Sequence, residues 1–356
     1  MTDAFGGRGG IAQYNRDMAI ALANGPFDAV EILPRVAPHA LDTPAQKVRQ
    51  HAPRPGRFAY VLAAIDLAWR LRPETIFCGH LFMAPLGLAL ARLVKARLVV
   101  QTHGVEAWAR PLTLQRLAAE RADLILAVSR DTRSRVLAWA AIGPERVRVA
   151  SNTVAEDFTP GDGRAMRATL GLTDEFVILT VGRLATRERY KGHDRIIRLI
   201  PRMMQTGLRP AYLIAGDGDD GPRLAAIARE CGVGDQVRFL GHVTRETLPD
   251  LYRAAQLFLL PSTGEGFGIA FLEAMACGTP AVGLARGGAM DALCDGELGV
   301  ALSPDDMCDG LLRTCCDLRA GLLETGKPLA RRVDERFGHA AFERRINRLF
   351  AEDHPD

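Results

Sequence analysis

The stretch from Gln256 to Gly283 restricts the possible folds of this chain more than any other part of the sequence. It opens with an apolar run at residues 257–260, which is short enough for a buried strand. Breaker residues interrupt this run, and a helix-forming segment follows from Ile269 to Cys277 before a second apolar run begins at Ala281. This order of strand, tight loop, helix and strand is typical of a parallel βαβ unit.

Strand and helix patterns alternate along the rest of the chain in two series. The first series ends with the run at 147–150, and the second begins with the apolar run at 176–181. Residues 152–175 between them contain one Pro and three Gly residues, as a linker does. With 356 residues in the chain and about 150 residues in an average domain, we predict two α/β domains, at 1–155 and 156–335. Each should have a parallel sheet covered by helices on both faces.

The loop inside the βαβ unit has the residues of an anion-binding site. Gly266 and Gly268 let backbone N–H groups approach a ligand, and the helix behind them directs its positive dipole end toward the same place. Glu265 and Glu273 are carboxylates, which accept hydrogen bonds from hydroxyl-rich groups such as a sugar or a ribose. Alone, such a loop is a weak motif, since the glycines can simply start a helix whose Glu273 is solvated.

The segment EGFGIAFLEAMACGTPAV, which begins at Glu265, resembles the signature of glycosyltransferase family 4, in which seven residues separate two glutamates. The resemblance implies the GT-B fold, in which two Rossmann-like, doubly wound domains face a central cleft. It also implies that Glu265 contacts the donor sugar and that Glu273 holds the ribose. The backbone between them is expected to contact the diphosphate through Gly266, Phe267 and Gly268.

Other positions in the second half are similar to the same family. Arg183 follows a strand and Lys191 follows a charged loop, a pattern that resembles the family's pair of cations facing the donor diphosphate. Fixed cations stabilise the negative charge that builds on the diphosphate when its bond to the sugar breaks. Gly216 matches a glycine loop near the nucleotide or forms an ordinary strand-to-helix turn, and Val243 is similar to a residue that borders the base. The terminal helix in residues 336–356 is expected to cross back onto the N-terminal domain.

Four positions in the first half resemble the family as well. His103 comes at the carboxyl end of a strand, where ligands bind in open α/β sheets. It resembles the family histidine that reaches the donor sugar near the acceptor. Gly9 and Gly10 are expected to approach the diphosphate or the acceptor, and Asn152 matches the family's asparagine after the last strand of this domain.

The beginning of the chain departs from the family pattern. In a doubly wound domain a buried strand precedes the first glycine-rich loop, but here the loop at residues 3–10 comes at once. We therefore expect the first strand of the N-terminal domain to be missing, which would expose neighbouring strand edges and lower stability.

The resemblance implies a retaining glycosyltransferase. It would move a hexosyl group from a nucleoside diphosphate sugar to a hydroxyl of a glycan or lipid-linked acceptor in polysaccharide biosynthesis. The expected donor is of the GDP-mannose or the UDP-glucose type. Neither a cofactor nor a metal is expected. The predicted catalytic residues are His103, Arg183, Lys191 and Glu265.

Charge is unevenly distributed along the chain. Residues 1–160 hold 20 Lys and Arg against 14 Asp and Glu, whereas the remainder holds 25 against 28. The basic segment from Arg35 to Arg57, in which residues 45–51 are predicted to form a short basic helix, fits peripheral contact with an anionic membrane. Nucleic acid is not an expected partner, because the sequence carries none of the standard nucleic-acid-binding motifs.

Other sequence features favour a cytoplasmic location, at the cytoplasmic face of the membrane if the basic segment binds there. The chain shows no signal peptide and no apolar run of about 18 residues. Its seven cysteines do not have the spacing of a zinc or redox site.

Two other functions stay open. An NAD-dependent oxidoreductase would use the glycines at residues 6–10, but their spacing is not GxGxxG and no strand precedes them. A non-catalytic protein of the same fold would bind a nucleotide sugar without transferring it. Turnover of the donor distinguishes this binding protein from an enzyme.

Overall fold

The structure of the protein is a computed structural model, and it describes residues 1–7, 9–38 and 46–351. The chain divides into two compact units. The first unit runs from Met1 to Thr153 and also includes the segment from His339 onward. The second unit is Val154–Gly338.

The described part of the first unit alternates strands with helices. Its strands are β1 (Val30–Ile32), β2 (Val48–Gln50), β3 (Thr75–Cys78), β4 (Arg97–Thr102), β5 (Leu124–Ala127) and β6 (Val147–Val149). Its helices before the linker are α1 (Gly10–Ala23), α2 (Arg57–Leu71), α3 (Ala84–Val94), α4 (Val105–Trp108), α5 (Thr113–Glu120) and α6 (Arg130–Trp139).

These strands form two parallel sheets. β1 pairs with β2, and the other sheet has the order β3-β4-β5-β6. All four residues of β5 and five of the six residues of β4 are buried. Both faces of these strands are therefore covered, and near-continuous apolar runs are typical of parallel strands buried in that way.

Within the described residues, no strand pairs with both β1 and β3. The backbone of Met1 extends along the edge of β3 instead: its amino group donates to the carbonyl oxygen of Phe77 at 2.8 Å. The N–H of Gly79 donates to the carbonyl oxygen of Met1 at 3.1 Å. Next to this contact, an apolar cavity of about 320 Å³ is lined by β1, β3, α1 and α2.

The second unit is built in the same way. Its strands are β7 (Phe176–Val181), β8 (Pro210–Ala215), β9 (Val237–Gly241), β10 (Leu257–Leu260), β11 (Ala281–Leu284) and β12 (Val300–Leu302). Its helices are α7 (Arg164–Thr169), α8 (His193–Gln205), α9 (Gly221–Glu230), α10 (Leu248–Ala254), α11 (Ile269–Ala276), α12 (Ala289–Ala292), α13 (Met307–Arg319) and α14 (Gly326–Phe337).

These strands make one parallel sheet in the order β12-β11-β10-β7-β8-β9. The stretch that begins at Gln256 forms β10, α11 and β11, and β10 pairs in parallel with both β11 and β7. The predicted βαβ unit is therefore present. Side chains of β7, β8, β10, α8 and α9 contribute most residues of an apolar core cluster in this unit.

A final helix, α15 (His339–Ala351), packs against α1 in the first unit. The ring of its Phe342 meets that of Tyr14 edge to face, with centroids 5.8 Å apart. The terminal helix was predicted within residues 336–356, but α14 ends only at Phe337, and Gly338 separates it from α15, which begins at His339.

The basic helix predicted at residues 45–51 is also wrong for the part that the structure describes. Residues 48–50 form β2, whose Val48 is buried and lies opposite Val30 of β1. A β-branched residue fits such a pleated, half-buried position, and strand pairing supplies the backbone hydrogen bonds that a helix would otherwise make.

Candidate active site

The strand order of the second unit reverses at β7. The chain places β8 and β9 on one side of β7, and then β10, β11 and β12 on the other. Ligands of open α/β sheets bind outside the carboxyl ends of the strands at such a switch point. The loops that follow β7 and β10 carry the predicted residues Arg183, Lys191 and Glu265, and both start at this edge.

Gly216 allows the loops after β7 and β8 to approach each other closely. Its φ is +153°, and a Cβ at this position would lie 1.9 Å from the carbonyl oxygen of Gly182. Only glycine tolerates this approach. The N–H of Gly216 donates to the carbonyl oxygen of Gly241 at 2.8 Å, which attaches the loop carrying Val243. Gly216 therefore has a structural role in the turn, and its contact with a nucleotide stays a prediction.

Glu188 holds the two predicted cations together. Its Oε1 lies 2.5 Å from a guanidinium nitrogen of Arg183, and its Oε2 lies 3.2 Å from Nζ of Lys191. The Glu188 side chain is 6% exposed, whereas that of Arg183 is 68% exposed. Buried charges in proteins are normally paired in this way. The cluster therefore keeps two positive groups at the end of β7, and the guanidinium is accessible to an anion.

The loop after β10 lies directly beside this cluster. The N–H of Thr263 donates to the carbonyl oxygen of Tyr190 at 2.9 Å. A Cβ on Gly192 would lie 2.8 Å from the carbonyl oxygen of Pro261. The segments after β7 and β10 are therefore in backbone contact at the switch point.

Glu265 extends from that loop as a partly satisfied acceptor. Its Oε1 is buried and has no hydrogen-bond partner among the described residues. Burial raises the pKa of this carboxyl, while the charge of Lys191 and a hydrogen bond from Ser262 act in the opposite direction. Buried polar atoms in proteins are nearly always hydrogen-bonded, so this oxygen is suited to accept from a ligand hydroxyl.

The backbone that leads into α11 is tightly packed. Gly268, with φ of +94°, precedes the first turn of the helix. A Cβ on Gly288 would lie 2.1 Å from the carbonyl oxygen of Gly266, so the loop is held from behind. The ring of Phe267 is buried against Phe337, with centroids 5.8 Å apart. Of Phe267, only the backbone is available to a ligand.

Glu273 is fixed inside α11 by a tyrosine. Its Oε2 accepts a hydrogen bond from the hydroxyl of Tyr252 at 2.8 Å, and the tyrosine side chain is fully buried. Burial raises the pKa of Glu273, and the Tyr252 hydrogen bond and the charge of Arg245 partly offset this effect. Glu273 is half-buried and hydrogen-bonded within the unit, which argues against a freely solvated helix residue.

His103 in the first unit is held at the end of β4. One ring nitrogen, Nε2, donates to the carbonyl oxygen of Gly79 at 2.8 Å, and its backbone N–H donates to Glu106 at 2.5 Å. Burial lowers the pKa of His103, although Glu106 and the Gly79 hydrogen bond act in the opposite direction. The neutral ring with its proton on Nε2 leaves Nδ1 as a hydrogen-bond acceptor.

The other predicted residues of the first unit lie around the same sheet edge. Tyr14 of α1 meets His103 edge to face at 5.3 Å. Its hydroxyl lies within hydrogen-bond distance of the carbonyl oxygen of Ala150, just before Asn152. Oδ1 of Asn152 is buried without a hydrogen-bond partner in the described part of the chain. Gly10 is the first residue of α1, and Gly9 precedes it with φ of +85°.

Two families of known proteins match the chain. "Glycosyl transferases group 1" matches residues 163–310, and "Glycosyltransferase Family 4" matches residues 8–158. A GDP-mannose-dependent alpha-(1-6)-phosphatidylinositol monomannoside mannosyltransferase from Mycolicibacterium smegmatis is 35% identical over 265 residues, which are 69% of this chain and 67% of that protein.

The chain belongs to glycosyltransferase family 4. The predicted family and enzyme class are thereby confirmed, and the oxidoreductase alternative is wrong. Another relative, a D-inositol 3-phosphate glycosyltransferase from Kribbella flavida, is 35% identical over 212 residues. That match covers 56% of this chain and 49% of that protein, so the chain spans about half the length of this relative.

Solved structures confirm the GT-B fold of this glycosyltransferase. The crystal structure of Anabaena Alr3699/HepE in complex with UDP has a TM-score of 0.78 at 21% identity, over 99% of this chain and 98% of that one. Sucrose-phosphate synthase from Thermosynechococcus elongatus has a TM-score of 0.76 at 23% identity, over 97% and 93%.

Sequence reasoning missed the partners that position the predicted residues of this glycosyltransferase. Glu188 belongs to the charged loop before Lys191 and Tyr252 to α10, and neither is among the predicted site residues. Glu188 is separated from Arg183 and Lys191 by a few residues, so the charge pattern could have indicated the cluster. Tyr252 lies 21 residues from Glu273, and no local pattern connects them.

Proposed function

We propose that this protein transfers a hexosyl group from a nucleoside diphosphate sugar to a hydroxyl of a glycan or lipid-linked acceptor, with retention of the anomeric configuration. The observation that carries the proposal is the pair of cations held by Glu188 at the switch point, beside Glu265 and the start of α11. A diphosphate carries the charge that this pair complements, and a sugar carries the hydroxyls that the free oxygen of Glu265 requires.

In the proposed reaction the bond between the anomeric carbon and the diphosphate oxygen breaks. The acceptor oxygen forms its bond to the same face of that carbon, and its proton passes to the leaving phosphate. Arg183 and Lys191 stabilise the negative charge that develops on the diphosphate. Electrostatic stabilisation of this kind is usually the largest single contribution to the rate enhancement of an enzyme. No metal is required in this proposal, because both positive charges come from the chain.

The donor is proposed to be GDP-mannose or UDP-glucose. The relative from Mycolicibacterium smegmatis is named as GDP-mannose-dependent, and the Anabaena protein was crystallised with UDP-glucose. Glu273, held by Tyr252, is suited to accept hydrogen bonds from the ribose that both donors contain. A cytoplasmic location is proposed with this donor, since the reaction needs a supply of nucleotide sugar.

The proposal is tested by incubating the purified protein with a panel of nucleotide sugars and an acceptor mixture, and by separating nucleotide release from glycoside formation. We expect turnover with one donor, an α-linked product by proton NMR, and a loss of about 100-fold or more in kcat/KM for Lys191→Ala. Lys327→Ala, at an exposed lysine of the same unit, is the matched control. Donor binding without any transfer would establish the non-catalytic alternative instead.

A further inference from the structure

Helix α2 exposes an apolar face. Phe58, Val61, Leu62, Ile65 and Trp69 follow one another at intervals that place them on one side of a helix. Phe58 is 88% exposed, Leu62 is 68% exposed and Trp69 is 54% exposed. A contiguous exposed patch of this kind is rare on a protein surface that has no binding partner.

The opposite side of α2 packs on the core of the first unit, so the helix is correctly buried although its other side is exposed. Tyr60, Ala64 and Ala68 are buried against the core of the first unit. The hydroxyl of Tyr60 donates to the carbonyl oxygen of Leu33 at 2.9 Å and fixes the rotation of the helix. The helix therefore has two apolar sides, and only one of them is required for folding.

Arginines flank the exposed face at both ends. Arg54 and Arg57 lie at the beginning of α2, and Arg70 and Arg72 lie at its end, all of them exposed. Asp66 is the one acidic residue between Arg54 and Arg72, and it forms an ion pair with Arg70 at 2.5 Å. The guanidinium of Arg72 lies 4.6 Å above the ring of Trp69. The surface is therefore both apolar and cationic.

We propose that α2 is an interfacial helix that inserts its Phe58–Trp69 face into an anionic lipid leaflet. Helices that lie in the membrane interface combine Trp, Phe and Leu on the inserted side with basic residues that meet lipid phosphates. The four arginines provide the charge complementarity with anionic headgroups. A protein groove would account for the exposed apolar face of α2 only. An anionic leaflet accounts for this face, which its acyl chains bury, and for the arginines at both ends of the helix, which its phosphates contact.

This surface also revises the expected membrane contact. The basic segment from Arg35 to Arg57 was predicted to provide it, but residues 39–45 of that segment lie outside the described residues. Arg54 and Arg57 belong to the new surface, and the apolar face supplies the insertion that charge alone lacks. No helix in the described part of the chain could span a bilayer, and an interfacial helix does not need to.

The test measures co-sedimentation of the full chain with vesicles of phosphatidylcholine, either alone or mixed with phosphatidylglycerol. We expect binding only to the anionic vesicles. The double variant Phe58→Ser, Leu62→Ser should reduce the partition coefficient by about tenfold or more, because the inserted groups are lost. Arg54→Gln with Arg57→Gln should weaken binding and make it less sensitive to salt. Leu322→Ser, at an exposed leucine of the second unit, is the matched control.

Trp69 provides a direct readout of insertion. In a chain in which Trp108 and Trp139 are replaced by Phe, its emission should shift to shorter wavelength on anionic vesicles and be quenched by brominated lipid. Sedimentation equilibrium without lipid tests self-association through the same face. The proposal is overturned if the serine variant binds vesicles as wild type does, if brominated lipid leaves the emission unchanged, or if the face instead mediates a dimer. None of these measurements depends on sugar transfer.

Discussion

Glu188 is a buried carboxylate placed between two cations, and it determines where both of them lie. Its two oxygens are divided between Arg183 and Lys191, so the loop presents a net positive charge while its charged groups stay paired. Tyr252 has the corresponding role for Glu273. Glu188 and Tyr252 need not touch the substrate themselves. Each of them fixes the position of a side chain that is predicted to touch it.

Glu188→Gln keeps the shape of this side chain and removes its charge. We expect kcat to fall by about 10- to 100-fold, because both cations lose the charge of their buried partner and then repel each other. Steady-state kinetics with the active donor measure the effect. Glu188→Asp should recover part of kcat, and Glu230→Gln on the exposed side of α9 should change neither kcat nor KM. An unchanged kcat in Glu188→Gln would contradict a positioning role.

Tyr252→Phe removes the hydroxyl that donates to Glu273. The pKa of Glu273 is already raised by burial, and loss of this hydrogen bond should raise it further. A smaller fraction of the carboxylate is then ionised near neutral pH. Nucleotide affinity should weaken several-fold. The pH below which this affinity declines should also move to a higher value. Calorimetric titration with the nucleoside diphosphate at several pH values measures both effects.

Tyr60→Phe is the control for that experiment. It removes an equally buried phenol from the first unit, where the hydroxyl donates to Leu33. The pH dependence of nucleotide affinity should stay as in wild type. The role assigned to Tyr252 fails if both variants bind the nucleotide alike.

Among the secondary-structure elements, β1 and β3 belong to two separate sheets of the first unit. No strand joins them in the described part of the unit, and the backbone of Met1 pairs with the end of β3. Helix α2 covers the resulting cavity with the side chains of Ala64, Leu67 and Ala68. The small alanines leave the cavity unfilled, so the lining loses the dispersion contacts that a packed core provides.

Filling this cavity should stabilise the protein. Ala68→Leu places three additional carbons next to it, and we expect the free energy of unfolding to increase by about 1 kcal/mol. Denaturation in urea, followed by circular dichroism, measures the change. Ala59→Leu, at an exposed position of α2, makes the same replacement away from the cavity and should have little effect. A lower midpoint for Ala68→Leu would show that the site cannot accept the volume.

For the molecule as a whole, each unit has its own core, and a buried polar chain crosses the sheet of the second one. His193 lies within hydrogen-bond distance of the hydroxyl of Tyr212, which donates to Thr180, and Thr180 donates to the carbonyl oxygen of Leu259. Burial and the charge of Lys191 lower the pKa of His193 to about 4. Protonating this histidine therefore opposes the folded state.

This coupling predicts how stability depends on pH. In the unfolded chain a histidine has a pKa of about 6.5, so between that pH and about 4 the unfolded state binds more protons. Above this window, neutral His193 makes its full contribution to the free energy of unfolding. It should decrease as the pH falls, by up to about 1.4 kcal/mol for each pH unit.

Urea denaturation of wild type and His193→Gln at several pH values measures this contribution as the difference between the two proteins. That difference should change with pH in the window from about 6.5 to about 4. His242→Gln, at an exposed histidine, should track wild type. A difference that does not vary with pH would show that His193 is protonated equally in both states.

Local patterns along the chain were sufficient for the family, the GT-B architecture and most strands of both units. Apolar runs, glycine and proline breakers and the glutamate signature are properties of neighbouring residues, and parallel βαβ folding follows from their order. The same patterns predicted Arg183, Lys191, Glu265 and Glu273, whose roles as substrate contacts stay predictions.

Tertiary structure decided what holds those residues and which surfaces are left uncovered. The hydrogen bond from Tyr252 to Glu273 and the approach of Gly216 to Gly182 join residues that are distant in sequence, so no local spacing encodes them. The strand β2 replaced a predicted helix because pairing with β1 outweighed local composition. The apolar pattern of α2 shows which residues share a face, but only packing determined which face is buried and which is exposed.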